Sequence, residues 1–84
     1  MALNGNGIIK FAAEQSCPAE YELRKYIDNQ LTRRKGLVRV HPRYVIPLME
    51  THGFDLELQC GKVIRMCAIN GTGDGILEVE DLPN

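Results

Sequence analysis

The length of 84 residues is the feature that most restricts this chain, because it suffices for only one small domain. The sequence shows no pattern for a disulfide or metal cross-link that would stabilise such a domain. One hydrophobic core organises roughly 50–200 residues. With 44% hydrophobic residues, the chain can bury enough surface to fold compactly. Its three cysteines form no C-x-x-C pair, so they indicate neither a disulfide scaffold nor a zinc site. We expect a single domain over residues 1–84, whose thin stability margin leaves a homodimer as an alternative to a monomer.

The sequence carries no signal for export or for membrane insertion. No apolar run approaches the roughly 20 residues that cross a bilayer, and Ile8-Ile9 is too short for a secretory signal. The cysteines are therefore expected to be reduced thiols in a cytoplasmic protein without membrane contact. The stretch Asn4-Gly5-Asn6-Gly7 predicts a mobile N terminus over residues 1–7.

The strongest periodic pattern predicts an amphipathic helix over residues 17–35. Apolar residues recur at i, i+4, i+7, i+8 and i+12, as expected for one helix face. Ser16 and Pro18 suit the first turn, and the basic run before Gly36 suits the last turn. The apolar residues of this pattern are Ala19, Leu23, Tyr26, Ile27 and Leu31.

From residue 54 onward the pattern has a period of two, which predicts antiparallel strands. A hairpin is expected to turn near residues 60–62, and a further strand over residues 76–82 completes a meander with Leu77 and Val79 inward. The residues expected on one face of the hairpin are Leu56, Leu58, Val63, Cys67 and Ile69.

Three shorter segments complete the predicted architecture. Residues 8–11 fit a strand or a first helical turn, with a strand favoured, and residues 37–40 alternate as a strand. Pro47 is expected to open a short helix over residues 47–52, closed by Gly53. The predicted fold class is α+β: one long amphipathic helix packed on a three- to four-stranded antiparallel sheet, plus one short helix.

Charge is distributed unevenly along the chain. Residues 24–43 hold seven cations and one acid, Asp28, whereas residues 44–84 hold two cations and seven acids. A basic segment of this kind can follow the phosphates of a nucleic acid or meet an acidic protein surface, although a solvated face at a helix end would look the same. The predicted binding residues are Arg33, Arg34, Lys35, Arg39 and Arg43.

Part of the chain resembles the swapped-hairpin transition-state regulators and antitoxins. The resemblance rests on Ile46-Pro47, a short helix to Gly53-Phe54, the strand at 61–63 and the later segment 75–79. It covers about half of the chain, and the helix over residues 17–35 has no counterpart in it. The resemblance implies a dimeric DNA-binding β-barrel in which Arg39 and Arg43 would contact DNA.

No motif indicates catalysis, a metal or a cofactor. The glycine-rich loop 71–75 is followed by a strand instead of the helix that a phosphate loop requires. The cysteine and histidine spacings fit no zinc pattern, and no carboxylate pair is predicted to lie in a pocket. We expect a non-catalytic regulatory module that binds a polyanion, with nucleic acid as the leading candidate. The alternative is a protein–protein interaction module, such as an accessory subunit or an inhibitor carried by a mobile element, that docks on a larger protein.

Overall fold

The computed structural model describes residues 2–12 and 14–82, and most of these residues lie in β-strands. Between the third and fourth strands, a 3-10 turn at Pro42–Tyr44 continues into one short helix, α1 (Val45–Glu50). The six strands are β1 (Ala2–Phe11), β2 (Gln15–Asp28), β3 (Leu31–Arg39), β4 (Phe54–Glu57), β5 (Val63–Gly71) and β6 (Ile76–Asp81).

The strands close into a barrel in the order β1-β2-β3-β6-β5-β4, and every neighbouring pair is antiparallel. Because side chains alternate along a strand, every second residue points inward and fills the barrel. Helix α1 packs on β5 and adds Val45 and Leu48 to this core. The largest fully buried side chains are Phe54, Ile9, Leu23, Leu48, Leu56, Met66, Leu77, Val38, Val79 and Cys17.

The predicted α+β architecture, a long amphipathic helix on a three- to four-stranded sheet, is wrong. Residues 17–35 form most of β2, a turn and the first half of β3. The apolar spacing was misleading because a separation of four residues puts two side chains on one face of a helix and also on one face of a strand. Ala19 and Leu23 are buried together with the intervening Tyr21, which is the periodicity of a strand.

The signals that predicted the helix ends belong to strands and a turn. Pro18 lies in β2 opposite Ile8 of β1. Gly36 lies within β3, where a Cβ would overlap the carbonyl oxygen of Glu22, so glycine permits the close approach of β2 and β3. The chain reverses instead at Asn29 and Gln30, whose φ angles of 55° and 70° are typical of a two-residue type I′ hairpin turn.

The predicted C-terminal meander is confirmed, since β4 pairs with β5 and β5 pairs with β6. Its inward positions differ in part, because Ile64 and Met66 are buried while Val63 and Ile69 are exposed. A register shift between Ala68 and Asn70 marks an irregularity next to Ile69.

The remaining short elements lie close to their predicted positions. The segment 8–11 is a strand, as favoured. Residues 2–7, for which the sequence predicted a mobile terminus, pair with β2 in the same strand, β1, and residue 1 lies outside the described residues. The short helix begins at Val45, with Pro47 inside its first turn, and ends at Glu50, about two residues earlier than expected. Within the described ranges, no helix has the length and apolar character to cross a membrane.

Candidate nucleic-acid interface

The hairpin of β2 and β3 extends beyond the barrel. Strand β1 begins opposite Arg24, and the pairing of β6 with β3 stops at Lys35. The pairs from Lys25–Arg34 to Asp28–Leu31 therefore project as a two-stranded ribbon past the described residues of both flanking strands. At about 3.3 Å per residue, these four pairs extend roughly 13 Å from the rim of the barrel. We call residues 24–35 the arm.

The arm carries five cations and the single acid Asp28. Two cation pairs lie directly opposite each other across the ribbon, Arg24 with Lys35 and Lys25 with Arg34. Directly opposed like charges destabilise a strand pair. The arm therefore concentrates positive charge at a cost to its own folding, which is the arrangement that a bound anion relieves.

Alternation places the cations on both faces of the ribbon. Arg24, Arg33 and Lys35 lie on the face that continues the outside of the barrel, and Lys25 and Arg34 lie on the opposite face. Arg34 is paired with Asp81, so Lys25 is the cation that meets solvent on this second face. A flat anionic surface would meet only one of the two faces.

Two cations on the outer face of the arm, Lys35 and Arg33, contact other side chains of the protein. The ammonium of Lys35 lies 5.0 Å from the centroid of the Tyr26 ring, in a cation–π contact. The guanidinium of Arg33 lies 3.7 Å from the carboxylate of Asp28 at the tip, and both side chains are partly solvent-exposed, so this ion pair is weak. Lys35 and Arg33 consequently stay near the surface of one face, where an external anion can reach them.

Arg34 has a different role, because it anchors the arm to β6. Its backbone N–H donates a hydrogen bond of 2.9 Å to Oδ2 of Asp81, and its guanidinium lies 3.6 Å from the same oxygen. Both side chains are mostly buried, with exposed fractions of 20% and 18%. Nε of Arg34 and Oδ1 of Asp81 have no other partner, so a small rotation would complete a two-point ion pair. Arg34 is thus a positioning residue rather than an exposed contact.

A cleft of about 480 Å³ separates the arm from the turn between β4 and β5. One wall carries Arg33 and Arg34, and the other carries Lys62 and Arg65. The guanidinium of Arg65 lies 3.1 Å from the carboxylate of Asp55, which offsets its charge. Lys62 is therefore the cation on this wall that contributes positive charge opposite the arm. Positive charge thus continues from the arm across this end of the barrel.

The structure separates the five residues that the sequence grouped. Arg33, Arg34 and Lys35 lie on the arm, whereas Arg39 lies four residues farther along β3, about 13 Å from Lys35. Arg39 is opposite Glu20 and Lys35 is opposite Glu80 of β6, so an acid partly offsets each charge. Lys35 differs because its other cross-strand neighbour is the cation Arg24. Arg43 stacks on the ring of Tyr44 at 4.9 Å and donates a hydrogen bond of 3.0 Å to its hydroxyl.

Sequence reasoning missed three cations at this end of the barrel. Arg24 and Lys25 belong to the basic segment but not to the predicted binding residues, and on the expected helix Arg24 would pair with Glu20 and Asp28 at a spacing of four residues. Lys62 stands alone beside Gly61, and no sequence signal connects it with the arm. Only the pairing of β2 with β3 brings Arg24 opposite Lys35.

Away from the arm, metal-ligating side chains are dispersed in the described residues, and two thiols are shifted towards their neutral form. In the part of the chain that the structure describes, no three His, Cys, Asp or Glu side chains lie close enough to hold a metal ion. Burial raises the pKa of the Cys17 thiol, and burial together with the charge of Glu80 raises the pKa of Cys67. Both thiols are therefore poor nucleophiles at neutral pH.

Comparisons with protein families, with curated proteins and with solved structures find no match to this chain.

Proposed function

We propose that this protein is a small non-catalytic, cytoplasmic regulatory module that binds nucleic acid through the arm. The observation that carries the proposal is the projecting ribbon with exposed cations on both faces, Arg24 and Lys35 on one and Lys25 on the other, and with Arg24 directly opposite Lys35. An anion between or beside these cations removes their repulsion and gains a charge-assisted contact with each.

Nucleic acid fits this geometry better than an acidic protein surface does. A ribbon with positive charge on two opposite faces needs negative charge on two sides at once, and the two phosphate chains of a duplex groove supply it. The carboxylates of a protein surface lie on one side of such a ribbon. Phosphate contacts of this kind position a protein on nucleic acid without reading its sequence.

Fluorescence anisotropy with a labelled duplex, measured over a salt series, tests the proposal. Four arm cations other than the anchor Arg34, namely Arg24, Lys25, Arg33 and Lys35, predict a slope of about −3.6 for log affinity against log salt, or roughly a 100-fold loss between 50 and 200 mM salt. No binding at 50 mM salt would contradict the proposal. Capture of an acidic polypeptide without duplex binding would also contradict it and would favour the protein-interaction module.

A pair of variants then locates the site. Replacing Arg24, Lys25 and Lys35 together by glutamine should flatten the salt slope by about 2.7, because three phosphate contacts are lost. The matched control replaces Arg39 and Arg43 by glutamine and should keep the slope of the wild type. The reverse pattern would place the binding surface at the distal end of β3, where the sequence alone also predicted contacts.

A further inference from the structure

The tip of the arm differs chemically from its base. Two large apolar side chains, Ile27 and Leu31, are 79% and 64% exposed there, one on each face of the ribbon. Asn29 and Gln30 occupy the turn between them and are also exposed. Each face therefore carries cations toward the barrel and an apolar residue at the tip, with amide groups at the extreme end.

Gln30 occupies a position where glycine would be more stable. Its φ of 70° lies in the left-handed region, and a type I′ turn favours glycine as its second residue. A side chain kept in such a conformation at an exposed tip, where no packing requires it, suggests contact with a ligand.

The dimensions of the arm match the major groove of B-form DNA. That groove is about 12 Å wide and 8.5 Å deep and admits a two-stranded ribbon. Lys25 and Arg33 lie two residues from Ile27 and Leu31 along their strands, a separation of about 7 Å. When the tip reaches the base edges, these cations are thus level with the phosphates at the rim.

We propose, resting on the nucleic-acid function above, that the arm enters the major groove of duplex DNA and reads A·T base pairs. The amide of Gln30 suits adenine, because an amide can pair with both N6 and N7 of that base. The methyl groups of Ile27 and Leu31 suit the thymine C5-methyl. A-form RNA has a major groove too deep and narrow for side chains to read, so the partner is DNA.

The test uses duplexes that differ by single atoms or groups and carry identical charge. Anisotropy is measured for an A·T-rich DNA duplex, for the same duplex with uracil in place of thymine, and for one with 7-deazaadenine in place of adenine. We expect about fourfold weaker binding for each thymine methyl contacted and roughly fivefold or more for the lost N7 acceptor. An RNA duplex and the single DNA strand should bind at least about tenfold more weakly.

Two variants assign these effects to the tip. Gln30→Gly keeps a favourable turn and should abolish the preference for adenine over 7-deazaadenine. Ile27→Ser with Leu31→Ser should reduce the preference for thymine over uracil to less than twofold. Ile46→Ser, which alters an equally exposed residue of α1, is the control and should leave both preferences intact.

The outcomes separate this inference from the function on which it rests. Salt-dependent binding that is equal for DNA and RNA, or unaffected by loss of the methyl and N7 groups, would overturn groove reading and leave the nucleic-acid function standing. Tighter binding to the single strand would also overturn groove reading. No binding to any of these molecules would overturn both.

Discussion

Opposed cations on neighbouring strands make the arm a place where stability and binding conflict. Arg24 faces Lys35 across the ribbon, whereas Arg39 faces Glu20 in the same pair of strands. Both pairs lie between β2 and β3, and they differ in that one joins two cations and the other joins a cation to an acid. Each cross-strand pair of this kind is worth roughly 0.2–1 kcal/mol.

Replacing these two arginines should therefore have opposite effects on stability. Arg24→Gln removes a repulsion and should raise the free energy of unfolding by roughly 0.2–1 kcal/mol, while Arg39→Gln removes an attraction and should lower it by a similar amount. Urea denaturation at low salt measures both. A loss of stability in Arg24→Gln would mean that the opposed cations do not repel each other.

The three thiols should differ in reactivity according to burial. Cys60 is exposed, Cys67 is partly buried and Cys17 is buried, and the pKa of each of the last two is raised above the ordinary value of 9.0. Since the thiolate is the nucleophile, alkylation at pH 8 should modify Cys60 first and Cys17 last, by about tenfold or more in rate. Mass spectrometry over time gives the order, and early labelling of Cys17 would contradict the fold.

The raised thiol pKa values also fix the sign of the alkaline effect. Well below pH 9 the Cys17 thiol is neutral in the folded and unfolded chains, so it adds no pH dependence. As the pH rises, Cys17 ionises first in the unfolded chain, because burial raises its pKa in the fold, and the free energy of unfolding should fall. Urea denaturation of the protein and of Cys17→Ala between pH 8 and 10 measures this fall, and an equal pH dependence in both would mean that the thiol is not buried.

At the scale of elements, Leu23 and Ile27 distinguish a strand from a helix. A helix over residues 17–35 puts both on one apolar face. In β2 they also share one face, but Leu23 lies inside the barrel, fully buried, and Ile27 lies beyond its rim, 79% exposed. Burial is thus set by where the barrel ends and not by the periodicity of the segment.

Alanine substitutions should reproduce this difference. Leu23→Ala should cost about 2–5 kcal/mol because it leaves a cavity in the core, whereas Ile27→Ala should change stability by less than about 0.5 kcal/mol. Thermal and urea denaturation measure both. Similar large losses for the two variants would support a helix packed along its whole length.

Gly36 determines how closely the two strands of the hairpin approach at the base of the arm. A Cβ at this position would overlap the backbone carbonyl of Glu22, while nothing lies within 4 Å of a Cβ at Gly73. Gly36→Ala should destabilise the protein by about 1–3 kcal/mol, as overpacking does. Gly73→Ala is the matched control and should be nearly neutral. Equal effects would contradict the close approach.

Local sequence signals predicted part of this fold well. The meander of β4, β5 and β6 was predictable because Leu56, Leu77 and Val79 alternate with polar residues. The short helix followed from Pro47 in its first turn. These elements depend on neighbours in sequence, so a pattern of a few residues determines them.

The arm was not predictable, because long-range pairing creates it. Ala19, Leu23 and Ile27 are equally consistent with both periodicities. The turn at Asn29 and Gln30 lacked the glycine that marks a type I′ hairpin. Gln30 stands where that glycine would be, and Gln30 is also the residue proposed to contact adenine. The sequence signal for the turn is therefore weak at the position where we propose a base contact.

At the scale of the whole molecule, the barrel contains the core that stabilises the fold, and the arm carries the residues proposed to bind DNA. The core residues lie between the barrel ends, and in the described part of the chain the pairs beyond Arg24 and Lys35 have no ladder pairing to a flanking strand. The side chain of Asp81 holds Arg34 at the base of this segment. A variant in which Asn-Gly joins Arg24 directly to Lys35 therefore removes the arm beyond the rim and retains the barrel pairing.

The affinity of this arm-shortened variant for duplex DNA at 50 mM salt tests the central claim most directly. A loss of about tenfold or more is expected, because Lys25, Arg33 and the tip are removed while Arg24 and Lys35 stay at the rim, and cooperative thermal unfolding shows that the barrel remains folded. An affinity equal to that of the full chain, in a variant that still unfolds cooperatively, would contradict the assignment of binding to the arm.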